Sequence, residues 1–460
     1  MITYRVDSEL ETLLVGEEIV PEAVRSCALR LHELGLWYQL SRNEPATSCK
    51  DAARKRNRLG HKGIPLWDEL KSFLGEYHDS EGHRRLFLAH CRGDRKLDLD
   101  KLRKALEFEG EIRRVSLKTE ERLWIDHRVG YGMVNPLMGL HDGIQIFDDE
   151  LNQQVSVPGT VMTNAGDFTW AVEFDPTELV AALPFSRWAN LIQQEIESED
   201  PIRWGVRAPK AIGILTGNPI DSGLDLGASV KDHVRRLLKT NSLGDVSMPE
   251  IHIKSTPRIG ISMEMDHRQG PLRKALLGAV DELCGLGIKI LAHPAHTTHY
   301  FAKDISSRAT GMGAHFISMI DVIRAKLHSE GIEEFALLGT KFVTDFDKPW
   351  SVYKDIFDGL CVHTPSENGW KKINDLGYEI QQNGVTPQCF NWMRDLLREE
   401  IPSSCRHVVL AMTEFTPIAR RLKSRGLQGK ILIDPIDIYG EAIALKYLGI
   451  ESWNKPSGSN

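Results

Sequence analysis

Three histidines within seven residues, His293, His296 and His299, form a group of side chains that could do chemistry. An imidazole titrates near neutral pH and is a common metal ligand, so the group could supply a catalytic base or hold a metal ion. A structural role stays open as well, with His299 satisfying a helix terminus and His293 packing under a sheet. A His-x-x-His-x-x-His loop has no fixed meaning as a zinc motif, and we therefore expect no metal ligands here.

Short apolar runs with the composition of buried strands alternate with amphipathic helical stretches in the second half of the chain. This alternation predicts an α/β fold with a doubly wound parallel sheet flanked by helices. In such folds the site lies at the carboxyl ends of the strands, so the residues that follow each strand are the candidates. The predicted strands are Ala211–Leu215, Ile288–Ala292, Phe335–Leu338, His407–Ala411 and Lys430–Ile433.

Three segments that follow these strands resemble the signatures of the aspartate/glutamate racemase family. Residues 287–301, 337–340 and 408–414 stand where the family has strand-Pro-Cys-Asn-Thr-Ala-His, Leu-Leu-Gly-Thr and Gly-Cys-Thr-Glu. Their order, spacing and strand context agree, and Asp434 with Tyr439-Gly-Glu-Ala-Ile matches the closing segment of the family. The resemblance covers about residues 208–455 and implies a racemase-like α/β fold for them.

Both cysteines of that family are replaced in this sequence. The resemblance puts Ala295 at the first cysteine and Met412 at the second, with His296 at the neighbouring asparagine. A racemase needs a base on each face of the α-carbon, and neither a methyl group nor a thioether can remove or return a proton. Ordinary two-thiol racemisation is therefore excluded.

Without the two thiols, the resemblance still implies a binding site in the second half for an amino acid or another small carboxylate. His296 and Glu414 are the catalytic candidates, because an imidazole and a carboxyl group can still transfer a proton. The substrate-binding candidates are Thr297, His299, Thr340 and Thr413. No cofactor is expected.

The first half has a less regular pattern, which predicts a compact mixed α/β domain. Helices are predicted at residues 21–37 and 98–108, and strands at residues 85–89 and 169–174. Four segments resemble, in the same order, the YbaK-like editing domain associated with prolyl-tRNA synthetases. These segments are residues 49–54, 93–102, 130–136 and 162–167, within a resemblance that spans about Leu36 to Leu183.

Members of that family hydrolyse the ester of a mischarged aminoacyl-tRNA without a protein nucleophile or metal. The resemblance places their Gly-x-x-x-Pro loop at residues 132–136, where Gly132 would let backbone amides approach a carbonyl oxygen. It places their pocket lysine at Lys71, where a cation would meet the terminal phosphate of the tRNA or polar atoms of the substrate. Asn164 and Asp167, in a turn at the expected distance downstream, are the substrate-binding candidates.

The local pattern around Lys71 gives a different prediction. Apolar side chains at positions 66, 70, 73 and 77 recur at helical spacing, which favours an amphipathic helix with Lys71 on its solvated face. The resemblance implies a strand at the same place. For the Gly132 loop the alternative is an ordinary turn closed by a proline.

Composition and length indicate a folded protein of two domains. Apolar residues make up 41% and charged residues 26%, and the net charge of −7 neither supports nor excludes an RNA partner. An acidic, proline-containing stretch at residues 186–210 separates two domains, placed at residues 1–200 and 205–460. The seven cysteines are odd in number and form no Cys-x-x-Cys pair, which favours free thiols over disulfides or zinc.

No apolar run approaches 18 residues, and the start of the chain carries acids where a signal peptide has a basic flank. We therefore expect a cytoplasmic protein with no membrane contact. The protein could form a homodimer.

Three functional hypotheses follow. The first is an enzyme that deacylates aminoacyl-tRNA in its first half and has a non-thiol racemase-type site in its second. In the second hypothesis the chain is an isomerase or lyase that uses His296 or Glu414. The third is a catalytically degenerate protein that binds an amino acid or tRNA.

Overall fold

A computed structural model describes residues 3–4, 14–15, 18–58, 61–107, 110, 112–139, 143–153, 159–197, 204–354, 357, 359–422 and 429–450. The chain divides into two compact units. The N-terminal unit comprises Met1–Pro209 with Asn241–Ser247, and the C-terminal unit comprises Lys210–Thr240 with Met248–Asn460. Part of the acidic linker, residues 198–203, lies outside the described residues.

The N-terminal unit is a mixed α/β structure whose sheets are mostly antiparallel. Its largest sheet has the order β10-β7-β8-β11-β14, and a second sheet has the order β1-β4-β13-β12. Its strands are β1 (Thr3–Tyr4), β2 (Leu14–Val15), β3 (Glu18–Ile19), β4 (Tyr38–Arg42), β5 (Asn57–Arg58), β6 (His61–Lys62), β7 (Leu70–Asp79), β8 (Arg84–Arg92), β9 (Arg95–Leu97), β10 (Ile112–Leu117), β11 (Ile144–Asp148), β12 (Val161–Asn164), β13 (Trp170–Phe174), β14 (Ser186–Ala189) and β15 (Ile192–Ile196). Its helices are α1 (Glu22–Glu33), α2 (Cys49–Lys55), α3 (Leu99–Leu106), α4 (Glu120–His127) and α5 (Pro176–Ala182).

Local sequence sets where several of these helices begin. The Ser48 hydroxyl accepts a hydrogen bond from the amide of Asp51 and caps α2, and the Asp98 carboxylate accepts the amides of Asp100 and Lys101 at the start of α3. Each cap satisfies backbone donors that the first helical turn leaves unpaired.

The helix predicted around Lys71 is wrong, because residues 70–79 form strand β7. This strand pairs antiparallel with β8 over nine residues, from Leu70 opposite Arg92 to His78 opposite Arg84. This pairing with a distant strand overrides the helical spacing of the apolar residues. The strand implied by the family resemblance is present.

The C-terminal unit contains two four-stranded sheets, and every pairing in them is parallel. The first sheet has the order β17-β16-β18-β19 and the second has the order β21-β20-β22-β23. Their strands are β16 (Ile212–Thr216), β17 (Ile251–Ser255), β18 (Ile290–Ala292), β19 (His315–Ile317), β20 (Glu334–Gly339), β21 (Cys361–His363), β22 (His407–Ala411) and β23 (Ile431–Ile433). The helices are α6 (Ile220–Leu238), α7 (Met265–Gly285), α8 (Ala302–Gly311), α9 (Met319–Ser329), α10 (Lys341–Thr344), α11 (Glu367–Asn383), α12 (Pro387–Glu400), α13 (Thr416–Leu422) and α14 (Pro435–Tyr447).

The prediction of an α/β fold with parallel strands is confirmed for this unit, although the strands form two sheets and not one. All five predicted strands are present, with ends that differ from the prediction by at most two residues. The central strands β16 and β18 of the first sheet are buried along their whole length, and β20 and β22 of the second sheet are buried beyond their first residue, which matches their unbroken apolar runs. Helices such as α7 and α12 pack apolar faces on the two sheets and complete separate cores.

Among the described residues, the helices lack the combination of length and apolar character that crossing a bilayer requires.

Candidate active sites

The N-terminal unit contains a cavity of about 690 Å³ whose wall includes three of the four residues predicted as its site. These residues are Lys71, Gly132 and Asn164. Asp167 does not line the cavity; its carboxylate accepts hydrogen bonds from the amide and hydroxyl of Thr169, at 2.8 and 2.5 Å, and closes the turn between β12 and β13. Three elements distant in sequence thus meet around one space of a size suited to a small ligand.

Lys71 provides a positive charge that no described carboxylate neutralises at ion-pair distance. It lies near the start of β7, is half-buried, and its Nζ donates a hydrogen bond of 3.0 Å to the carbonyl of Arg95. The other cations of the cavity wall are each paired with a carboxylate, in the pairs Arg56–Glu69, Arg95–Glu150, Lys96–Glu195 and Lys118–Glu76. A partly buried cation without a counter-ion favours binding of an anion or a polar ligand.

The loop that starts at Gly132 is held from one side by Asn164. The Asn164 Nδ2 donates to the carbonyls of Gly132 and Val134, at 3.0 and 3.2 Å. Its Oδ1 accepts from Asn135 Nδ2 at 3.2 Å and from the amide of Gly166 at 3.0 Å. All four hydrogen-bonding positions of Asn164 are therefore in use. Its predicted role in substrate binding does not fit this arrangement, and Asn164 is instead a positioning residue for the loop.

The same loop has unused backbone donors. Within the described residues, the amides of Gly132 and Val134 have no hydrogen-bond partner, whereas the amide of Met133 closes a turn to the Gly130 carbonyl at 3.0 Å. Gly132 has a φ of +84°, a conformation that L side chains rarely adopt. Free amides on a fixed loop can stabilise a developing oxyanion.

Cys49 also lines the cavity, although its environment keeps it from acting as a nucleophile. Burial, with a further contribution from the charge of Glu69, raises the pKa of the Cys49 thiol to about 12. The thiolate, which is the reactive form, is therefore scarce at neutral pH.

In the C-terminal unit, two of the three clustered histidines have structural roles. His293 donates from Nδ1 to the Leu215 carbonyl at 2.8 Å and accepts at Nε2 from the Thr298 hydroxyl at 2.5 Å. His299 donates from Nδ1 to the Ala295 carbonyl at 2.8 Å and accepts at Nε2 the amide of Met319, at 3.1 Å. Met319 is the first residue of α9, so His299 caps that helix. Both ring nitrogens are occupied, so the predicted role of His299 in substrate binding would require it to give up one of these hydrogen bonds.

His296 differs from its two neighbours in having one free ring nitrogen. Its Nδ1 forms a hydrogen bond of 2.6 Å with the Tyr353 hydroxyl, while Nε2 is buried and has no partner among the described residues. Burial lowers the pKa of His296 to about 3 and holds the ring neutral. Tyr353 is fully buried, and burial raises the pKa of its hydroxyl well above its usual value.

The hydroxyl proton of Tyr353 determines what Nε2 can do. His296 is the partner of that hydroxyl among the described residues, so donation to Nδ1 satisfies it best. The neutral ring then carries its own proton on Nε2. In this state Nε2 carries a proton that it could donate to an anion, and it would have to lose that proton before acting as the predicted base.

Thr340, Thr413 and Glu414 stand together at the carboxyl edge of the second sheet, because β20 and β22 are neighbours and end at Gly339 and Ala411. The Thr340 hydroxyl is buried without a partner. Glu414 accepts a hydrogen bond of 2.6 Å from Gln381 of α11, and burial raises the pKa of its carboxyl group. Thr297 begins a short 3-10 helix, Thr297–Phe301, after the first sheet's β18 and is buried.

The two positions of the family's cysteines are both apolar and buried. Ala295 is 4% exposed, and the terminal methyl of Met412 lies against Gly377 of α11, where an added Cβ would come within 2.0 Å of it. The thioether thus fills part of the core formed with α11 and α12.

Tyr353 and Gln381 are the contacts that sequence reasoning missed. Tyr353 lies between α10 and β21, and Gln381 lies in the last turn of α11. Neither residue falls in a motif, so no local signal identified them.

No protein-family model matches the sequence, and no curated protein sequence matches it. Solved structures that resemble the chain include an aspartate racemase homologue from Pyrococcus horikoshii OT3, with 20% sequence identity and a TM-score of 0.40. The match covers 52% of this chain and 99% of that chain. An aspartate racemase from Picrophilus torridus has 17% identity, with 52% and 94% covered and a TM-score of 0.41. A glutamate racemase from Campylobacter jejuni has 16% identity, with 51% and 84% covered and a TM-score of 0.37. About half of the chain is thus similar to racemase structures.

Proposed function

We propose that the N-terminal unit hydrolyses aminoacyl esters of the aminoacyl-tRNA type in the cavity around Lys71 and the Gly132 loop. The observation that carries this proposal is the joint presence, in one cavity wall, of an uncompensated cation and a loop with free backbone amides. The first is suited to a polyanionic ligand, and the second to the carbonyl oxygen that gains charge during hydrolysis.

The proposed reaction uses water as the nucleophile. As water attacks the ester carbonyl, the amides of Gly132 and Val134 would stabilise the negative oxygen, while Asn164 keeps the loop in place. Cys49 takes no covalent part because its thiol stays protonated. The bond between the carbonyl carbon and the ribose oxygen breaks, and the products are a free amino acid and a tRNA with a free terminal hydroxyl.

Tyr131 supports the binding of a nucleotide end at this site. It is 60% exposed, precedes Gly132 and lines the cavity. An exposed aromatic ring beside a cation is a typical platform for stacking an unpaired base.

The test is release of labelled amino acid from a panel of correctly and incorrectly charged tRNAs by the full-length protein. We expect release above buffer hydrolysis from at least one of them. Spontaneous release rates with every charged tRNA would overturn the proposal and favour a protein that only binds its ligand.

A second function is proposed for the C-terminal unit, because of the buried and unpartnered Nε2 of His296. Its N–H would bind the carboxylate of an amino acid or small acid, since a buried donor without a partner costs roughly 1–3 kcal/mol that such a ligand would recover. Glu414, whose pKa burial raises, is the base proposed for a non-thiol isomerase or lyase reaction.

Incubation with amino acids of both hands in deuterated water tests this second function. Deuterium at the α-carbon that disappears in Glu414→Gln would support proton abstraction by Glu414. Ligand binding without deuterium incorporation would support a carboxylate-binding site with no catalysis.

A further inference from the structure

Four side chains with metal-binding atoms meet at the amino edge of the second parallel sheet in the C-terminal unit. Glu334 is the first residue of β20, Cys361 and His363 are the ends of β21, and Cys405 comes two residues before β22. The register pairs Cys361 with Glu334, and Cys361 and His363 are two residues apart, so their side chains share one face of the sheet.

Three of these four side chains hold their ligand atoms close together, and the fourth, Cys361, contacts one of the three. The Nε2 of His363 lies 2.9 Å from the Glu334 Oε1 and 3.8 Å from the Cys361 Sγ. One ligand atom each from Glu334, His363 and Cys405 lie within 4.8 Å of one another. Tetrahedral zinc bonds of about 2.0–2.3 Å put ligand atoms roughly 3.3–3.8 Å apart. Cys361 is not in that group of three and approaches it through His363, so its side chain would have to move to complete a four-ligand shell.

We propose that Glu334, Cys361, His363 and Cys405 bind one thiophilic divalent cation of the Zn²⁺ class as a structural site. Two sulfurs and an imidazole select against Mg²⁺ and Ca²⁺, which take oxygen ligands. Four protein ligands would close the shell and leave no position for a substrate, as in structural zinc sites.

The Cys405 Sγ donates a hydrogen bond of 3.4 Å to the His407 carbonyl, and metal binding would replace this bond. The Cys405 side chain is fully buried, and Lys430 donates from Nζ to its backbone carbonyl at 2.6 Å. Two thiolates, one carboxylate and a divalent cation carry a net charge of −1, which the Lys430 ammonium would offset. Lys430 also donates to the Pro402 carbonyl at 2.6 Å, so it fixes the loop that presents Cys405.

The site stands at the end of the sheet opposite to the carboxylate-binding candidates. Strand β20 runs six residues from Glu334 to Gly339, and at about 3.3 Å per residue this separates the two ends by roughly 16–20 Å. A metal ion here would tie the short edge strand β21 to β20 and to the loop before β22, without taking part in chemistry at Glu414.

The test uses the full-length protein, prepared under reducing conditions, stripped with a chelator and titrated with Zn²⁺ or Co²⁺. We expect one equivalent to bind, a thiolate-to-cobalt charge-transfer band, the visible spectrum of tetrahedral cobalt, and a higher melting temperature. Cys361→Ser, which changes an exposed side chain, should lower the charge-transfer intensity by about half, because one of two thiolates is lost. Cys405→Ser should do the same if the variant folds.

The matched control is Cys284→Ser, which removes a buried free thiol of α7 outside the cluster and should leave metal binding unchanged. His363→Gln should weaken zinc binding by more than the roughly 10- to 100-fold that loss of an outer-shell partner costs. Absence of binding by the wild type, a cobalt spectrum without a charge-transfer band, or binding that survives both Cys361→Ser and His363→Gln would overturn the proposal. In that case Glu334 and His363 form only an exposed ion pair.

Discussion

Gly132 illustrates how one residue can affect both backbone conformation and chemistry. A Cβ at this position would have room, since the nearest atom is the Thr47 carbonyl oxygen at 3.9 Å. The obstacle to a side chain is therefore the φ of +84° and not a steric clash. A substitution should rotate the peptide out of this conformation and change the direction of the loop amides that the proposed reaction uses.

We predict that Gly132→Ala lowers the deacylation rate on the order of 100-fold or more, the usual cost of losing an oxyanion donor. Gly82→Ala is the matched control, because Gly82 has a φ of +89°, open surroundings and no place in the cavity wall. Both variants carry a similar backbone strain, on the order of 1–2 kcal/mol, and only the first should lose activity in single-turnover assays. Equal rates for the two variants would show that the Gly132 amides do not contact the reacting carbonyl.

Lys71 permits a second prediction at the residue scale. Lys71→Ala should weaken binding of charged tRNA and reduce the slope of log K against log salt concentration by about 0.7, as expected for one lost contact to a single-stranded phosphate. Lys71→Arg should retain the slope. Lys96→Ala is the control, because Lys96 lines the same cavity and is paired with Glu195 at 2.9 Å. An unchanged slope in Lys71→Ala would mean that Lys71 binds the amino-acid part or no ligand at all.

At the scale of elements, the regular parts of the fold were predictable and the contacts between distant elements were not. Unbroken apolar runs predicted β16, β18, β20 and β22, because a strand buried on both faces has few alternatives, and a similar run predicted the edge strand β23. The segment 66–77 carries apolar residues at a spacing that suits a helix, but pairing with β8 stabilises residues 70–79 as a strand. Such pairing is set by residues far along the chain, which a local pattern does not contain.

The same limit applies to the candidate sites. Family resemblance selected Lys71 and the Gly132 loop, which line one cavity, and Asn164, which supports the loop. It did not identify Tyr353, which sets the protonation of His296. It also gave no reason to group Glu334, Cys361, His363 and Cys405, because these residues come from three separate segments and match no zinc spacing.

The segment that joins β18 to α8 gives a prediction for acid stability. Burial lowers the pKa of His293 and His296 to about 3 and that of His299 to about 4, from an ordinary value of 6.5. On acidification these histidines therefore bind protons in the unfolded chain at pH values at which they stay neutral in the folded chain. The contribution of these histidines to the free energy of unfolding is fully present above pH 6.5 and falls as the pH decreases from 6.5 towards 4.

Thermal melts of the wild type and of His299→Gln between pH 7.5 and 4.5 test this prediction. The variant should be less stable at pH 7.5, because it loses the cap on α9, and its loss of melting temperature on acidification should be smaller. A variant whose melting temperature falls in parallel with that of the wild type would show that His299 is not held neutral in the folded state.

At the scale of the whole molecule, the two candidate sites lie in units that each have their own hydrophobic cores. The proposed ligands share an aminoacyl carboxyl region, bound as an ester in the N-terminal unit and as a free acid in the C-terminal unit. Separate cores mean that a change at one site does not have to repack the other. Effects of distant, independent substitutions on free energy usually add to within about 0.5 kcal/mol.

We therefore predict that Gly132→Ala and His296→Phe act additively. Gly132→Ala should reduce deacylation and leave carboxylate binding unchanged, and His296→Phe should do the reverse, because phenylalanine keeps the ring volume and removes the Nε2 donor. The double variant should show the product of the two single effects in tRNA deacylation assays and in calorimetric titrations with amino acids. Tyr353→Phe serves as a companion to His296→Phe, since it removes the partner of Nδ1 while leaving the imidazole in place. A coupling energy above about 1 kcal/mol between Gly132 and His296 would contradict independence and would mean that ligand binding in one unit changes the state of the other.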